Sequence, residues 1–166
     1  MRISGSATDK LMFAAIYIGI AVILVIQGAR HLADYALDAS FFNDYLCLWE
    51  TRLVEMRQGA INWPPQDRND PAGYMQQLAD VMRRQGISPP RSNTDRPYVY
   101  RLQRFGRRAV QVLLVSTRQG ITLFNLPTAT FERIDRFVDG ASNPDSGSFT
   151  GNMSADGVTR IAYWKV

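Results

Sequence analysis

The sequence has few of the residues that build disulfides and metal centres. Its 166 residues include one cysteine, Cys47, and one histidine, His31. A single cysteine excludes an internal disulfide framework and a zinc site made of cysteines. A single histidine leaves no histidine-rich metal centre, and the sequence has no phosphate-binding loop or other short catalytic motif. These absences predict a protein that is not an enzyme and has no cofactor.

The apolar residues are unevenly distributed, although the composition as a whole is that of a folded protein. Hydrophobic residues make up 46% of the chain and charged residues 20%, and the length fits about one domain. The segment Leu11–Ile26 (LMFAAIYIGIAVILVI) contains no charged side chain. Extended to Ala29 it has nineteen residues, close to the ~20 that a helix needs to cross a bilayer.

The charges that flank this segment predict its orientation. Arg2 and Lys10 precede it, opposed by Asp9. Because positive flanks stay on the cytoplasmic side, we expect residues 1–10 in the cytoplasm, a transmembrane helix over 11–29 and the rest of the chain outside. One alternative is a cleaved signal peptide, whose apolar core is usually shorter. Another is a buried helix in a soluble core.

Residues 30–59 predict an amphipathic continuation of the same helix. Apolar side chains recur at steps of three and four between Leu32 and Met56, whereas charged residues, among them Asp34 and Asp38, fall largely off that stripe. Gly59 predicts the end of the helix. A single helix over Lys10–Gln58 would be ~74 Å long. The alternative is two helices with a break near Gly28.

Residues 60–166 predict one globular α+β domain that packs on the outer half of the long helix. A helix is expected from Pro71 to Gly86. Antiparallel strands are expected because the gaps between the apolar runs are short. The remaining expected elements are strands Tyr98–Phe105, Ala109–Ser116 and Ile121–Leu126, a helix over Phe131–Val138, and a last hairpin formed by Phe149–Met153 and Val158–Trp164.

This order of elements resembles the type IV pilin and type II secretion pseudopilin superfamily, in which one helix is half membrane anchor and half domain spine. A local resemblance lies in Ile134–Gly140 (IDRFVDG) and Asn143–Gly147 (NPDSG), which look like a stretch before the last strands of many minor pilins. The resemblance implies a pilin-like fold in the bacterial inner membrane. It also implies a structural subunit or assembly component of a type IV pilus or type II secretion-like filament. Its partners would be other pilin-like subunits and inner-membrane assembly proteins in a hetero-oligomeric filament.

The N-terminus departs from the pilin pattern. Pilin precursors carry a glycine before the apolar run and a glutamate at the fifth mature position. Here Gly5 is followed by Ser6, and the fifth residue after Gly5 is Lys10, next to Asp9. The departure favours a divergent minor subunit or accessory protein over a main filament subunit.

The membrane segment contains small residues that permit close helix packing. Ala14, Ala15, Gly19 and Ala21 are the candidates for contact with neighbouring helices, and Val22 lies near the middle of the span. A charge introduced at Gly19 or Val22 is therefore expected to block insertion or bundling.

The segment Arg91–Arg118 has the strongest net positive charge of the chain. Its seven arginines against one aspartate, Asp95, give +6, whereas the rest of the chain sums to −2. One hypothesis is a membrane-tethered extracytoplasmic module that captures DNA or an acidic partner. The alternatives are contact with lipid headgroups and an ordinary solvated face. The candidate binding residues are Arg91, Arg96, Arg101, Arg104, Arg107 and Arg108, with Arg118 at the end of the segment.

The loop after the predicted helix Phe131–Val138 offers oxygen ligands for calcium. Asp139, Asn143 and Asp145 are the candidate ligands, although their spacing is not that of an EF-hand. The alternative is an ordinary turn, in which Asp, Asn, Pro and Gly are common. His31 is expected at the membrane interface, and Cys47 is expected to be a small buried residue.

Overall fold

The computed structural model describes residues 5–59, 61–67 and 69–166, and its longest element is a continuous helix from Gly5 to Gln58. This helix consists of α1 (Gly5–Phe41), a π-helical segment (Phe42–Leu46) and α2 (Cys47–Gln58). At 1.5 Å per residue it is about 80 Å long. The expected single helix is therefore observed, with no break at Gly28. Residues 1–4 of the expected cytoplasmic segment lie outside the described residues.

The two halves of the long helix differ in burial. Every residue of 9–32 is exposed. From Phe41 onward one stripe enters the core, and its members are Phe41, Tyr45, Trp49, Leu53 and Met56. The second half of the helix is thus the spine of the folded domain, and the first half has no packing partner among the described residues.

The π-helical segment was not predicted from the sequence. It places two consecutive residues, Tyr45 and Leu46, in the core, where the α-helical turn of 100° per residue would separate them around the axis. The Tyr45 hydroxyl donates a hydrogen bond to the carbonyl oxygen of Pro97 at 2.9 Å. The wider turn therefore fits the helix to the sheet at this level.

Two shorter helices complete the α-helical part. Helix α3 (Pro71–Arg84) begins with proline at its first position, and the carboxylate of Asp70 accepts a hydrogen bond from the Gly73 N–H at 2.8 Å. Helix α4 (Thr128–Asp139) ends at Gly140, whose φ of 78° lies in the left-handed region that favours glycine.

The sheet has five antiparallel strands in the order β1-β2-β3-β5-β4. The α+β class with a long N-terminal helix and an antiparallel sheet is therefore confirmed. The last strand lies between β3 and β4, so β1 and β4 form the two edges. The strands are β1 (Val99–Arg104), β2 (Arg107–Ser116), β3 (Gly120–Pro127), β4 (Phe149–Met153) and β5 (Thr159–Lys165).

One buried cluster joins the long helix to the sheet and to α3 and α4. It includes Trp49 from α2, Met75 from α3, Leu114 from β2, Phe131 from α4 and Trp164 from β5. Strand β1 runs along the helix so that the turn between β1 and β2 lies beside Asp34. The fold therefore brings the tip of this hairpin to the point where the helix leaves the domain.

Candidate functional site

The exposed half of α1 is long and apolar enough to cross a membrane, as judged by length and composition. Its uncharged part, residues 11–29, is about 28 Å long at 1.5 Å per residue, close to the ~30 Å hydrocarbon thickness of a bilayer. It includes large apolar side chains that are more than half exposed, such as Leu11, Ile18 and Val25. A single N-terminal helix of this kind is consistent with a membrane anchor.

The small residues of this segment leave room beside the helix. Ala14, Ala15, Gly19 and Ala21 are all exposed. A Cβ added at Gly19 would meet no atom within 4 Å. Val22, near the middle of the span, is 51% exposed. The structure thus places these five residues where a neighbouring helix or lipid can reach them.

A buried ionic cluster lies where the helix enters the domain. Asp38 is completely buried, and its two carboxylate oxygens pair with Arg104 of β1 and Arg133 of α4. The Arg104 guanidinium also donates to the Thr130 hydroxyl and, at 3.4 Å, to the carbonyl oxygen of Asp34. One carboxylate therefore ties the long helix to the sheet and to α4.

This cluster corrects two expectations from the sequence. Asp38 was expected off the apolar stripe but is buried. Arg104 was a candidate for binding an external partner, but its side chain is 8% exposed and its charge is already paired. Alternation along β1 puts Arg104 on the same face as the buried Leu102, and this was the available signal for its inward position.

The tip of the β1–β2 hairpin contacts α1 just beyond the apolar segment. The Phe105 N–H donates to a carboxylate oxygen of Asp34 at 3.4 Å, and the Arg30 guanidinium lies over the Phe105 ring at 5.8 Å from its centre. Phe105 is nevertheless 61% exposed. A cleft of about 160 Å³ separates the hairpin from the helix, and Arg30, His31 and Arg107 contribute to its lining.

The remaining candidate arginines are exposed but do not form one surface. Arg107 and Arg108 follow the hairpin tip at the level of Asp34. Arg91 and Arg96 lie at the other end of β1, near Pro97, which contacts Tyr45. Asp34 and Tyr45 are eleven residues apart, which is about 16 Å along the helix. The exposed arginines of the segment 91–118 are Arg91, Arg96, Arg101, Arg107, Arg108 and Arg118.

The loop that was a candidate for calcium is closed by its own side chains. Both carboxylate oxygens of Asp139 accept backbone hydrogen bonds at 2.9 Å, from Ser148 and Phe149. The Asn143 side-chain oxygen accepts the Asp145 N–H at 3.2 Å. Among the described residues no group of three or more His, Cys, Asp or Glu side chains could hold a metal ion. Calcium at Asp139, Asn143 and Asp145 stays a prediction.

Sequence reasoning missed a second buried carboxylate, Asp135, in α4. One of its oxygens accepts the Asn143 N–H at 2.7 Å, and the other has no hydrogen-bond partner among the described residues. Burial raises its pKa, the Asn143 N–H partly offsets this, and the nearby charge of Asp139 raises it further. Its spacing of four residues from Asp139 on a helix was the available signal.

The histidine and the cysteine occupy ordinary positions. His31 is exposed on α1 directly after Arg30. Cys47 is half-buried against the core, and burial, followed by the charge of Glu50, raises the pKa of its thiol. A raised pKa lowers the thiolate fraction, which is the reactive form.

Comparison of the chain with protein-family models, with curated proteins and with solved structures finds no match in any of the three. The features that bear on function are therefore those of the chain itself. They are an exposed apolar helix, a domain built on its continuation, and arginines at both ends of β1.

Proposed function

We propose that this chain is a membrane-anchored structural subunit or assembly component of a bacterial filament of the type IV pilus or type II secretion kind, in the manner of a minor pilin. Residues 11–29 span the inner membrane, the N-terminus is cytoplasmic and the α+β domain lies outside. The chain acts by insertion of its helix among the helices of other subunits and is not an enzyme.

One observation carries this proposal: a single helix is exposed and apolar over its first half and is the buried spine of the domain over its second half. An anchor whose only task is to tether a domain needs no rigid continuity with the core. Here the Asp38 cluster fixes the helix to both β1 and α4. A force or displacement on the membrane half is therefore passed directly to the domain, as filament assembly requires.

The partners that fit the exposed half are other apolar helices and lipid. In hydrocarbon, helix association depends on close packing rather than on the hydrophobic effect, and small residues permit it. Ala14, Ala15, Gly19 and Ala21 are the contacts that we assign to neighbouring subunits. The filament that we propose is hetero-oligomeric, and the domain selects the neighbouring subunits.

The direct test is to shear filaments from the native host and identify the chain by mass spectrometry in the filament and membrane fractions, with its N-terminus mapped in both. The proposal expects the chain in the sheared filaments. A chain that begins after Gly5 would identify processing there. A chain found only in the membrane and intact from Met1 would overturn a filament role.

A variant pair separates the anchor from the domain. Val22→Arg places a charge near the bilayer centre, at a cost of about 3 kcal/mol, so that the chain should leave both the membrane and the filament fractions. Val158→Arg makes the same change at an exposed valine of the domain and should alter neither fraction. Normal membrane recovery of the Val22→Arg chain would contradict the span.

A second candidate function is capture of DNA or an acidic partner by the arginines at the end of β1 away from the apolar helix. The loop before β1 is fixed to that edge strand, because the Asn93 side chain accepts the Arg101 N–H and donates to the Arg101 carbonyl, both at 2.8 Å. Arg91, Arg96 and Arg101 are thus presented on an ordered surface.

The test of this second function is the salt dependence of binding. Binding to DNA through phosphate contacts weakens steeply as salt rises. Arg96→Glu with Arg101→Glu should abolish binding and leave filament assembly intact, whereas Val158→Arg should have no effect on binding. A salt-independent affinity, or no affinity at low salt, would contradict DNA capture.

A further inference from the structure

We propose that the tip of the β1–β2 hairpin and the helix around Arg30 form a binding site for the phosphate of an anionic phospholipid headgroup. The inference rests on the proposed membrane anchor and goes beyond it, because it assigns a lipid ligand to the folded domain. It concerns Arg30, Phe105, Arg107 and Arg108.

The first step is the depth of the site. Asp34, which holds the hairpin tip through the Phe105 N–H, lies five residues beyond Ala29, about 7.5 Å along the helix. The headgroup layer on each side of a bilayer is about 5–8 Å thick. The Phe105 ring contacts Arg30, one residue beyond the span. The hairpin tip therefore lies within the headgroup layer when residues 11–29 span the hydrocarbon.

The second step is the chemistry of the exposed surface. Phe105 is a large exposed apolar side chain at this level, and phenylalanine is one of the side chains that surface-bound proteins bury at the headgroup boundary. Its ring lies against the Arg30 guanidinium, so that an apolar and a cationic group are found together at the depth assigned to the headgroups. A soluble domain gains nothing from this exposure, but a membrane surface covers it.

The third step is charge. Arg30, Arg107 and Arg108 surround the tip, and Asp34 is the carboxylate beside it, which leaves two positive charges. Asp38, deeper in the domain, is already shared by Arg104 and Arg133 and adds no free negative charge. The cleft between Arg30 and Arg107 is about 160 Å³ in volume and is partly enclosed. Positive charge at this depth selects anionic lipid over zwitterionic lipid.

The test uses the full chain in nanodiscs of phosphatidylcholine, with and without phosphatidylglycerol. Backbone hydrogen exchange at residues 103–108 is the readout. Phosphatidylglycerol should slow this exchange. Each arginine strengthens binding to an anionic surface about fivefold, so we expect Arg107 and Arg108 to slow the exchange by up to about 25-fold. Arg107→Glu with Arg108→Glu should remove the lipid dependence.

The matched control is Arg91→Glu with Arg96→Glu, which changes the charge equally at the other end of β1 and should keep the lipid dependence. Equal loss in both double variants would reduce the effect to net charge and overturn the site. Inorganic phosphate added to phosphatidylcholine nanodiscs should not protect the tip. Protection by phosphate alone would assign the site to a free anion instead of a lipid.

Folding and anchoring are read in the same experiment. Exchange in β3 and β5 reports whether each variant is folded, and recovery of the chain in the nanodisc fraction reports the anchor. A chain that inserts normally but shows no response to phosphatidylglycerol overturns the lipid site and leaves the anchor intact. A chain that does not insert overturns the proposed function instead.

Discussion

Asp38 and Arg104, 66 positions apart in the sequence, form an ion pair at the junction between the long helix and the sheet, with Asp38 completely buried. Arg133 forms a second ion pair with the other carboxylate oxygen of Asp38. Two guanidinium groups thus depend on one carboxylate. Removal of that carboxylate leaves positive charge in a poorly solvated site without compensation.

We therefore predict that Asp38→Asn strongly destabilises the chain. Loss of one partner from a buried ion pair costs about 3–5 kcal/mol, and the partial exposure of Arg133 favours the lower end. Urea unfolding in detergent micelles, followed by the fluorescence of the buried Trp49 and Trp164, measures the change. The unfolding midpoint should fall while the slope stays constant.

The control for Asp38→Asn is Asp44→Asn on the same helix. Asp44 is exposed and accepts one hydrogen bond from the Ser40 hydroxyl at 2.6 Å. Its replacement should change the free energy of unfolding by at most about 0.5 kcal/mol. Equal effects of the two substitutions would contradict a structural role for the Asp38 cluster.

How far the sequence predicts this junction depends on which feature is considered. Helical periodicity indicated one helix to Gln58, whereas Arg104 was predicted as a candidate for binding an external partner. Asp38 lies three residues before Phe41, so that helical spacing already placed it on the buried stripe. The expectation was wrong because the charge of Asp38 was taken as a sign of exposure. The π-helical segment could not be predicted from the sequence either. It depends on tertiary contacts, such as the hydrogen bond from Tyr45 to the Pro97 carbonyl.

The order of the strands in the sheet likewise could not be predicted from the sequence. Five strands and their antiparallel pairing follow from apolar runs and short gaps. The insertion of β5 between β3 and β4 depends on tertiary packing, with Trp164 paired to Ile121 on one side and to Phe149 on the other. The irregular pairing at Asn125, whose φ is 62°, was also unforeseen, because its side chain bonds the Gln111 carbonyl on the neighbouring strand.

A second prediction concerns the two carboxylates of α4. Because the pKa of Asp135 is raised in the folded state, the folded chain binds its proton more tightly than the unfolded chain. The stabilisation that protonated Asp135 gives the folded state is fully present below pH 3.8, the ordinary pKa of the group. It is lost as the pH rises through the raised pKa. Asp135→Asn should therefore match the parent chain in acid and be the more stable of the two at neutral pH.

Asp139→Asn is the matched comparison, with the opposite expectation. Asp139 accepts two backbone hydrogen bonds through its two oxygens, and an amide has one acceptor oxygen. The free energy of unfolding should fall by about 1–2 kcal/mol at neutral pH. Unfolding by urea across a pH series measures both variants. A loss of stability in Asp135→Asn at neutral pH would show that the ionised form of Asp135 has a stabilising partner.

A third prediction concerns Gly147, which lies beside the same loop closure. Its φ is 105°, and an added Cβ would lie 2.3 Å from a carboxylate oxygen of Asp139. Gly147→Ala must therefore strain the backbone and also displace the carboxylate from the Ser148 and Phe149 N–H groups. Gly86→Ala is the control, because Gly86 has a φ of 74° but open space around it.

Gly147→Ala should have a lower free energy of unfolding than Gly86→Ala by about 1–3 kcal/mol. This difference is the cost of leaving the Ser148 and Phe149 N–H groups without an acceptor. Gly86→Ala should lower the free energy of unfolding by only ~1–2 kcal/mol, because alanine is strained in the left-handed conformation. Thermal unfolding of both full-length variants gives the comparison. If Gly147→Ala were no worse than Gly86→Ala, the Asp139 carboxylate would not be what closes the loop.

The last prediction concerns the reactivity of Cys47, the first residue of α2. Burial raises the pKa of its thiol above the ordinary value of 9.0, so that less thiolate is present at mildly alkaline pH. Iodoacetamide should therefore modify Cys47 severalfold more slowly than the exposed thiol of a Cys47→Ala, Ser146→Cys chain. The two rates, followed by mass spectrometry, should converge in urea, where both thiols are solvated. Equal rates in the folded chains would contradict the expected protection of Cys47 by its burial against the core.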